Sequence, residues 1–204
     1  MGLSEKNSSW DQKIARIMVR PLAGLPIHPN AITTLGMLCG LWSGYLFASG
    51  DPVLSNWAAL VFVFAAFIDH ADGEFARLTG KTSTFGHYYD HVGACVSYVA
   101  MFVGVGFGQV RNGALEEWGI PLGVMAGLAV AAIMSARLAV EMKVGKEATA
   151  QGSFAGFEPE DALYIVAPVA WLGGLAPFLV AAGIGAPLFL FWVVYESLSH
   201  RSAP

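Results

Sequence analysis

Asp69 and Asp72 stand three residues apart in an otherwise apolar stretch, and Asp90 follows in the next one. A carboxylate at membrane depth is costly, so its presence asks for a function. On a helix, Asp69, Asp72, Gly73 and Ala76 fall at i, i+3, i+4 and i+7, which makes one face of two carboxylates beside a patch nearly bare of side chain. Such a face can hold a hard divalent cation through its oxygens while a phosphate ligand lies close against the backbone. Gly86, Asp90 and Ala94 recur at intervals of four and give the following helix a similar face. If the two helices are antiparallel neighbours joined by loop 77–83, their acidic faces meet at one end. Arg77 and Lys81 then stand where a phosphate could use them, although basic residues at a helix end also serve as plain membrane anchors. A single intramembrane Asp can be a helix–helix hydrogen-bonding device; three of them flanked by glycines are better explained by a shared site.

The spacing Asp69-x2-Asp72-Gly73-x2-Ala76-Arg77-x8-Gly86-x3-Asp90 resembles the signature of the CDP-alcohol phosphotransferases, D-x2-D-G-x2-A-R-x8-G-x3-D-x3-D, with seven of its eight fixed positions matched. Pro29-Asn30-Ala31-Ile32-Thr33 is similar to the Pro-Asn-x-x-Thr segment common before the first span of that family. The resemblance implies transfer of a substituted phosphate from a CDP-alcohol donor to an alcohol or lipid acceptor with release of CMP, in phospholipid biosynthesis. It implies Asp69, Asp72 and Asp90 as ligands of one or two Mg²⁺ or Mn²⁺ ions, and Asn30, Gly73, Ala76, Arg77 and Gly86 as the walls of the CDP pocket. A metal clamp suits the chemistry, because it stabilises charge on the departing CMP and orients an in-line attack. A homodimer is the assembly the resemblance implies.

The departure is at the eighth position, where the family carries an Asp considered the general base and this chain has Ala94. A methyl group accepts no proton. Three readings stay open: an engineered inactivating change, a natural divergence in which a neighbour acts, and a catalytically silent CDP-binding relative. His87 and His91 are the candidate substitutes, since imidazole can act as base near neutral pH. His87 lies nearer the face of Asp90, while His91 is turned about 100° from it.

These residues need elements to hold them, and the composition says which. Of 204 residues, 55% are apolar and 13% charged, and the mean hydropathy is +0.57. A soluble domain with a charged skin is excluded, as are collagen-like, disordered and disulfide-stapled chains. The expected fold is all-α and integral to the membrane, one domain over residues 1–204. A juxtamembrane segment at 1–27 precedes a membrane domain at 28–204, whose six transmembrane helices fall at about 31–49, 54–76, 84–109, 118–142, 161–181 and 184–200. Trp10, Ile14, Ile17, Met18 and Leu22 alternate with Lys13, Arg16 and Arg20 at helical spacing, which suggests an N-terminal amphipathic helix on the membrane surface or an ordinary cationic lead-in. No apolar run precedes it, so no cleavable signal peptide is expected.

Lys6, Lys13, Arg16, Arg20, Arg77, Lys81, Arg137, Lys143, Lys146 and Arg201 would all lie on one side, with Arg111 alone on the other. The positive-inside rule then puts both termini and the acidic motif in the cytoplasm; the expected location is a bacterial or archaeal cytoplasmic membrane. The net charge of −4 and the lack of a basic run argue against nucleic acid as a partner. Cys39 and Cys95 read as free thiols, and Trp42, Trp57, Trp118 and Trp192 as interfacial anchors or packing.

For the acceptor, Asp90-His91 is similar to the Asp-His pair of choline and ethanolamine phosphotransferases, and the acidic segment 156–161 stands where those enzymes carry one. Only Arg137, Lys143 and Lys146 could receive a second phosphate there, which favours an acceptor without one. A cation-coupled transporter is the competing class, and it predicts carboxylates spread across membrane depth rather than gathered at one end.

Overall fold

A computed structural model describes the backbone of residues 10–144 and 164–199 and the side chains of 14–143 and 164–195. Among the described residues every regular element is helical: α1 (Trp10–Val19), α2 (Pro29–Phe47), α3 (Pro52–Thr79), α4 (Thr84–Arg111), α5 (Gly119–Val144), α6 (Val166–Trp171) and α7 (Leu175–Ser199). Local chemistry starts each long helix. His28 caps α2 by accepting the Asn30 N–H at 3.2 Å, with Pro29 at the first helical position. Asp51 caps α3 through the Leu54 N–H, and Ser83 caps α4 through the Gly86 N–H. Gly80 closes α3 in the left-handed conformation, φ 66°.

Among the described residues, four helices are long and apolar enough to cross a membrane: Pro52–Thr79, Thr84–Arg111, Glu116–Lys143 and Leu175–Tyr195. The sequence-based division of the last two spans is corrected. The break expected near 182–183 falls at Leu172–Gly174, where Gly173 takes φ 71°, and the chain from Leu175 to Ser199 is one helix. That helix runs through Gly183, Gly185 and Pro187. A proline inside a membrane helix is tolerated where neighbouring groups and small backbone adjustments satisfy the freed carbonyl. Before α6, residues 161–163 and the acidic segment 156–161 lie outside the described residues.

α3 and α4 each pack more extensively on α2 than on one another, although they also touch directly, as where the Phe62 and Tyr98 rings meet edge to face at 5.6 Å. Small residues allow the packing on α2. Gly36, Gly40 and Gly44 recur every four residues on α2, and a side chain at Gly44 would sit 2.7 Å from the carbonyl carbon of Ala100 on α4. Without a hydrophobic drive between helices in lipid, such close backbone approach supplies the packing energy. On the other side of α4, Gly119 and Gly123 of α5 meet Gly106 in the same manner, and α7 packs on α5. The main core gathers Phe47, Ala58, Ala59, Phe62, Met101, Phe102 and Val105 with Val166 and Leu179.

A second small core joins α1 to the far end of α3, with Ala15 and Val19 against Ala71 and Phe75. Ile14, Ile17 and Met18 of α1 remain exposed. Lys81 donates to the Ile27 carbonyl at 2.8 Å and ties the α3–α4 turn to the segment before α2.

Candidate active site

The three carboxylates meet where α2, α3 and α4 come together. Asp72 is buried, at 3% exposure, and its Oδ2 accepts a hydrogen bond from Thr33 Oγ1 of α2. The Asp90 carboxyl lies within hydrogen-bonding range of both Asp69 and Asp72. One of its oxygens, Oδ1, is buried and has no hydrogen-bond partner. A buried carboxylate oxygen left unsatisfied is a rare and costly arrangement, and here it belongs to a carboxyl with two others close by. Among the described residues no group of three or more His, Cys, Asp and Glu side chains is arranged to hold a metal ion by itself. Mg²⁺ keeps several waters and is commonly held by one or two carboxylates together with substrate phosphates, so the chemistry of the Asp side chains suits a divalent cation that arrives with a phosphate ligand.

The other sequence-derived residues distribute around this point. The Arg77 guanidinium lies over Gly73, where an added Cβ would stand 3.5 Å from Nη2. Arg77 Nη2 also donates to Glu74 Oε1 at 2.7 Å, one turn back on α3. Ala76 is half-buried on the same helix. Gly86 lies beside Asn30 across the α2–α4 contact, its Cβ position 3.5 Å from Asn30 Oδ1. Ala94 lines a small cavity shared with Asp69, Thr33, Gly93, Ser97 and Tyr98. Position 94 thus opens onto the space beside the acidic cluster.

The two histidines separate. Both interact electrostatically with Asp90, as does His70, but of the two only His91 has, among the described residues, a hydrogen-bonding partner on a neighbouring helix. His91 turns towards α5, where its Nε2 lies 3.2 Å from Ser135 Oγ and 3.5 Å from Cys95 Sγ. Both cysteines are free and half-buried.

Several polar groups at the site were not singled out from the sequence. Thr33 was visible only as the last residue of the Pro-Asn-x-x-Thr segment, and nothing in that pattern said its hydroxyl would reach Asp72. Thr34 and Tyr89 bond each other at 2.9 Å between α2 and α4. His70, next to Asp69, lies 3.4 Å from the hydroxyl of Tyr164, just before α6. Glu74 is buried yet reads in the sequence as a helix-end charge. For these residues the signal is tertiary, because each partner is more than thirty residues away or depends on a helix rotation; for Glu74, the i+3 spacing to Arg77 was the available clue.

With the geometry in hand, comparison with known proteins is informative. Residues 26–195 match the CDP-alcohol phosphatidyltransferase family, and the chain belongs to it. It is 34% identical over 106 residues to the archaetidylinositol phosphate synthase of Pyrococcus horikoshii, a match spanning 52% of this chain and 54% of that one. It is 32% identical over 97 residues to a CDP-diacylglycerol–serine O-phosphatidyltransferase of Helicobacter pylori, spanning 44% of this chain and 40% of that one. The matched region thus covers about half the length of these relatives or less. Among solved structures, the Mycobacterium tuberculosis phosphatidylinositol phosphate synthase with CDP-DAG bound superposes with TM-score 0.57 at 22% identity, over 88% of this chain and 90% of that chain. The same enzyme in complex with manganese and citrate gives TM-score 0.52 at 24% identity, over 89% and 88%. These likenesses establish the shared helical fold. The family is one of transferases of phospholipid biosynthesis, and its apolar helices agree with the spans found here.

Proposed function

We propose that this protein transfers a substituted phosphate from a CDP-alcohol donor to an alcohol or lipid acceptor and releases CMP. The observation that carries this reading is the proximity of the Asp69, Asp72 and Asp90 side chains, with one buried Asp90 oxygen left without a partner. Asp69, Asp72 and Asp90 would hold one or two Mg²⁺ or Mn²⁺ ions, which when bound neutralise the donor diphosphate and the charge that develops on CMP. Gly73, Ala76 and Gly86 keep side chains out of the way of the nucleotide, and Asn30 offers an amide beside Gly86. Arg77 keeps N–H donors for phosphate besides the one engaged by Glu74.

The attacking hydroxyl must lose its proton, and Ala94 has no group to take it. His87 and His91 both lie within electrostatic reach of Asp90; we favour His87 because His91 is engaged by Ser135 on α5. We read α2 as a further crossing beside the four long helices, with α1 on the membrane surface, in a single domain that forms a homodimer; α6, with six residues before the break at Leu172–Gly174, is too short to be a sixth span by itself. The gathering of the carboxylates at one end of α3 and α4 speaks against an ion path through the membrane.

The test is CMP release by the purified protein and by Ala94→Asp, with Mg²⁺ or Mn²⁺, across CDP-alcohols and acceptors. Turnover by the variant alone supports the reading and identifies Ala94 as inactivating. Turnover by both moves the base to a neighbour, with His87→Gln the next variant. Silence from both, with CDP-ligand binding retained, leaves the silent relative as the function.

A further inference from the structure

Thr33 touches both acidic helices at once. Its hydroxyl donates to Asp72 Oδ2 on α3. Its methyl packs on Gly93 of α4, where an added Cβ would lie 3.3 Å from Thr33 Cγ2. Gly93 is one helical turn beyond Asp90 and next to Ala94, so that contact fixes how far the Asp90 face of α4 stands from α2. Thr33 itself is buried, at 6% exposure, and lines the cavity shared with Asp69 and Ala94. The two branches of one β-branched side chain thus set the orientation of one carboxylate and the separation of another. A β-branched residue suits this task because its χ1 is stiff, so the hydroxyl and the methyl cannot be aimed independently.

We propose that Thr33 is a positioning residue for the acidic cluster: it holds the Asp72 carboxylate by one oxygen and spaces it from Asp90, so that the remaining oxygens face a common divalent ion. Thr33 makes no contact with the reacting atoms in this scheme. The inference rests on the metal-binding role given above to Asp69, Asp72 and Asp90. A hydrogen bond to the ligand's second oxygen is the kind of outer contact whose loss costs roughly 10–100-fold in metal affinity.

The roles of the two branches separate in two variants. Thr33→Val keeps the shape and the methyl on Gly93 but loses the donor, while Thr33→Ser keeps the donor and loses the methyl. The experiment measures Mn²⁺ binding to detergent-purified protein by the loss of the free-ion EPR signal, with Asp72→Asn as reference and thermal melting to show that each variant is folded. The expected result is affinity weakened roughly tenfold or more in Thr33→Val and held within about threefold in Thr33→Ser. Binding by Thr33→Val equal to that of the starting protein overturns the proposal, as does a greater loss in Thr33→Ser than in Thr33→Val, which would make the packing rather than the hydroxyl decisive. If the starting protein binds no Mn²⁺ and Asp72→Asn changes nothing, the metal-binding reading itself fails, an outcome distinct from failure of Thr33 alone.

Discussion

At the residue scale, three carboxyls packed together within apolar helices repel one another unless a cation lies between them. Neutralising one should therefore have opposite effects with and without metal. Asp90→Asn replaces the carboxyl whose Oδ1 is buried and unpartnered, and the amide carries no charge to be repelled. In EDTA this variant is expected to melt higher than the starting protein, by about 2–4 °C for each kcal/mol of repulsion relieved. With Mg²⁺ or Mn²⁺ the order should invert, because only the starting protein gains the binding energy. Melting curves in EDTA and in 10 mM-range metal check both arms; a variant no more stable in EDTA would show that the carboxyls are already neutral or solvated. The trade is the familiar one in which a site is kept at the expense of stability.

At the scale of elements, the site depends on how closely α2 approaches α4, and glycine is what permits the approach. At Gly44 an added Cβ would stand 2.7 Å from the Ala100 carbonyl carbon, which no side-chain motion can relieve. Gly44→Val is expected to destabilise by about 2–3 kcal/mol, a fall of about 5–10 °C in melting temperature. Gly185→Ala on α7 is the contrast. Nothing lies within 4 Å of its Cβ position, so helix propensity alone should leave it neutral or stabilised by roughly 0.5–1 kcal/mol. Equal melting of the two variants would remove the argument from close packing. The acidic helices and the shared face of Asp69 and Asp72 could be read in the sequence because spacing on one helix is a local property. The role of α2 as the main partner of both α3 and α4 could not, since Gly36, Gly40 and Gly44 permit a close partner without saying which. The break at Gly173 was likewise hidden: Gly183, Gly185 and Pro187 carry the stronger helix-breaking signal in the sequence, yet α7 absorbs them.

For the whole molecule, the bundle has two chemically different ends. At one, α3 gives way to α4 through Gly80–Ser83, and Arg77, Lys81, Arg16, Arg20 and Lys143 lie at helix ends or turns nearby, with the carboxylates a few turns inside. At the other, Arg111 donates to the Ala48 carbonyl at 2.7 Å, and Glu116 and Glu117 follow. α4 connects the two ends, and its 28 residues span about 42 Å at 1.5 Å per residue. That exceeds the roughly 30 Å of bilayer hydrocarbon, so both turns reach water on opposite sides. Our proposed orientation, from the excess of Lys and Arg at that end, has the Gly80–Ser83 turn in the cytoplasm, where a charged nucleotide donor would have access to Asp69, Asp72 and Asp90 without crossing the membrane. The check uses a chain with Cys39 and Cys95 replaced by Ala and one new thiol, Thr82→Cys or Ala114→Cys, both at exposed turn positions. A membrane-impermeant maleimide is expected to label Ala114→Cys in intact cells and Thr82→Cys only in inside-out vesicles. The reverse pattern would place the acidic cluster on the outer face, away from any cytoplasmic nucleotide, and would set the orientation and the proposed donor against each other.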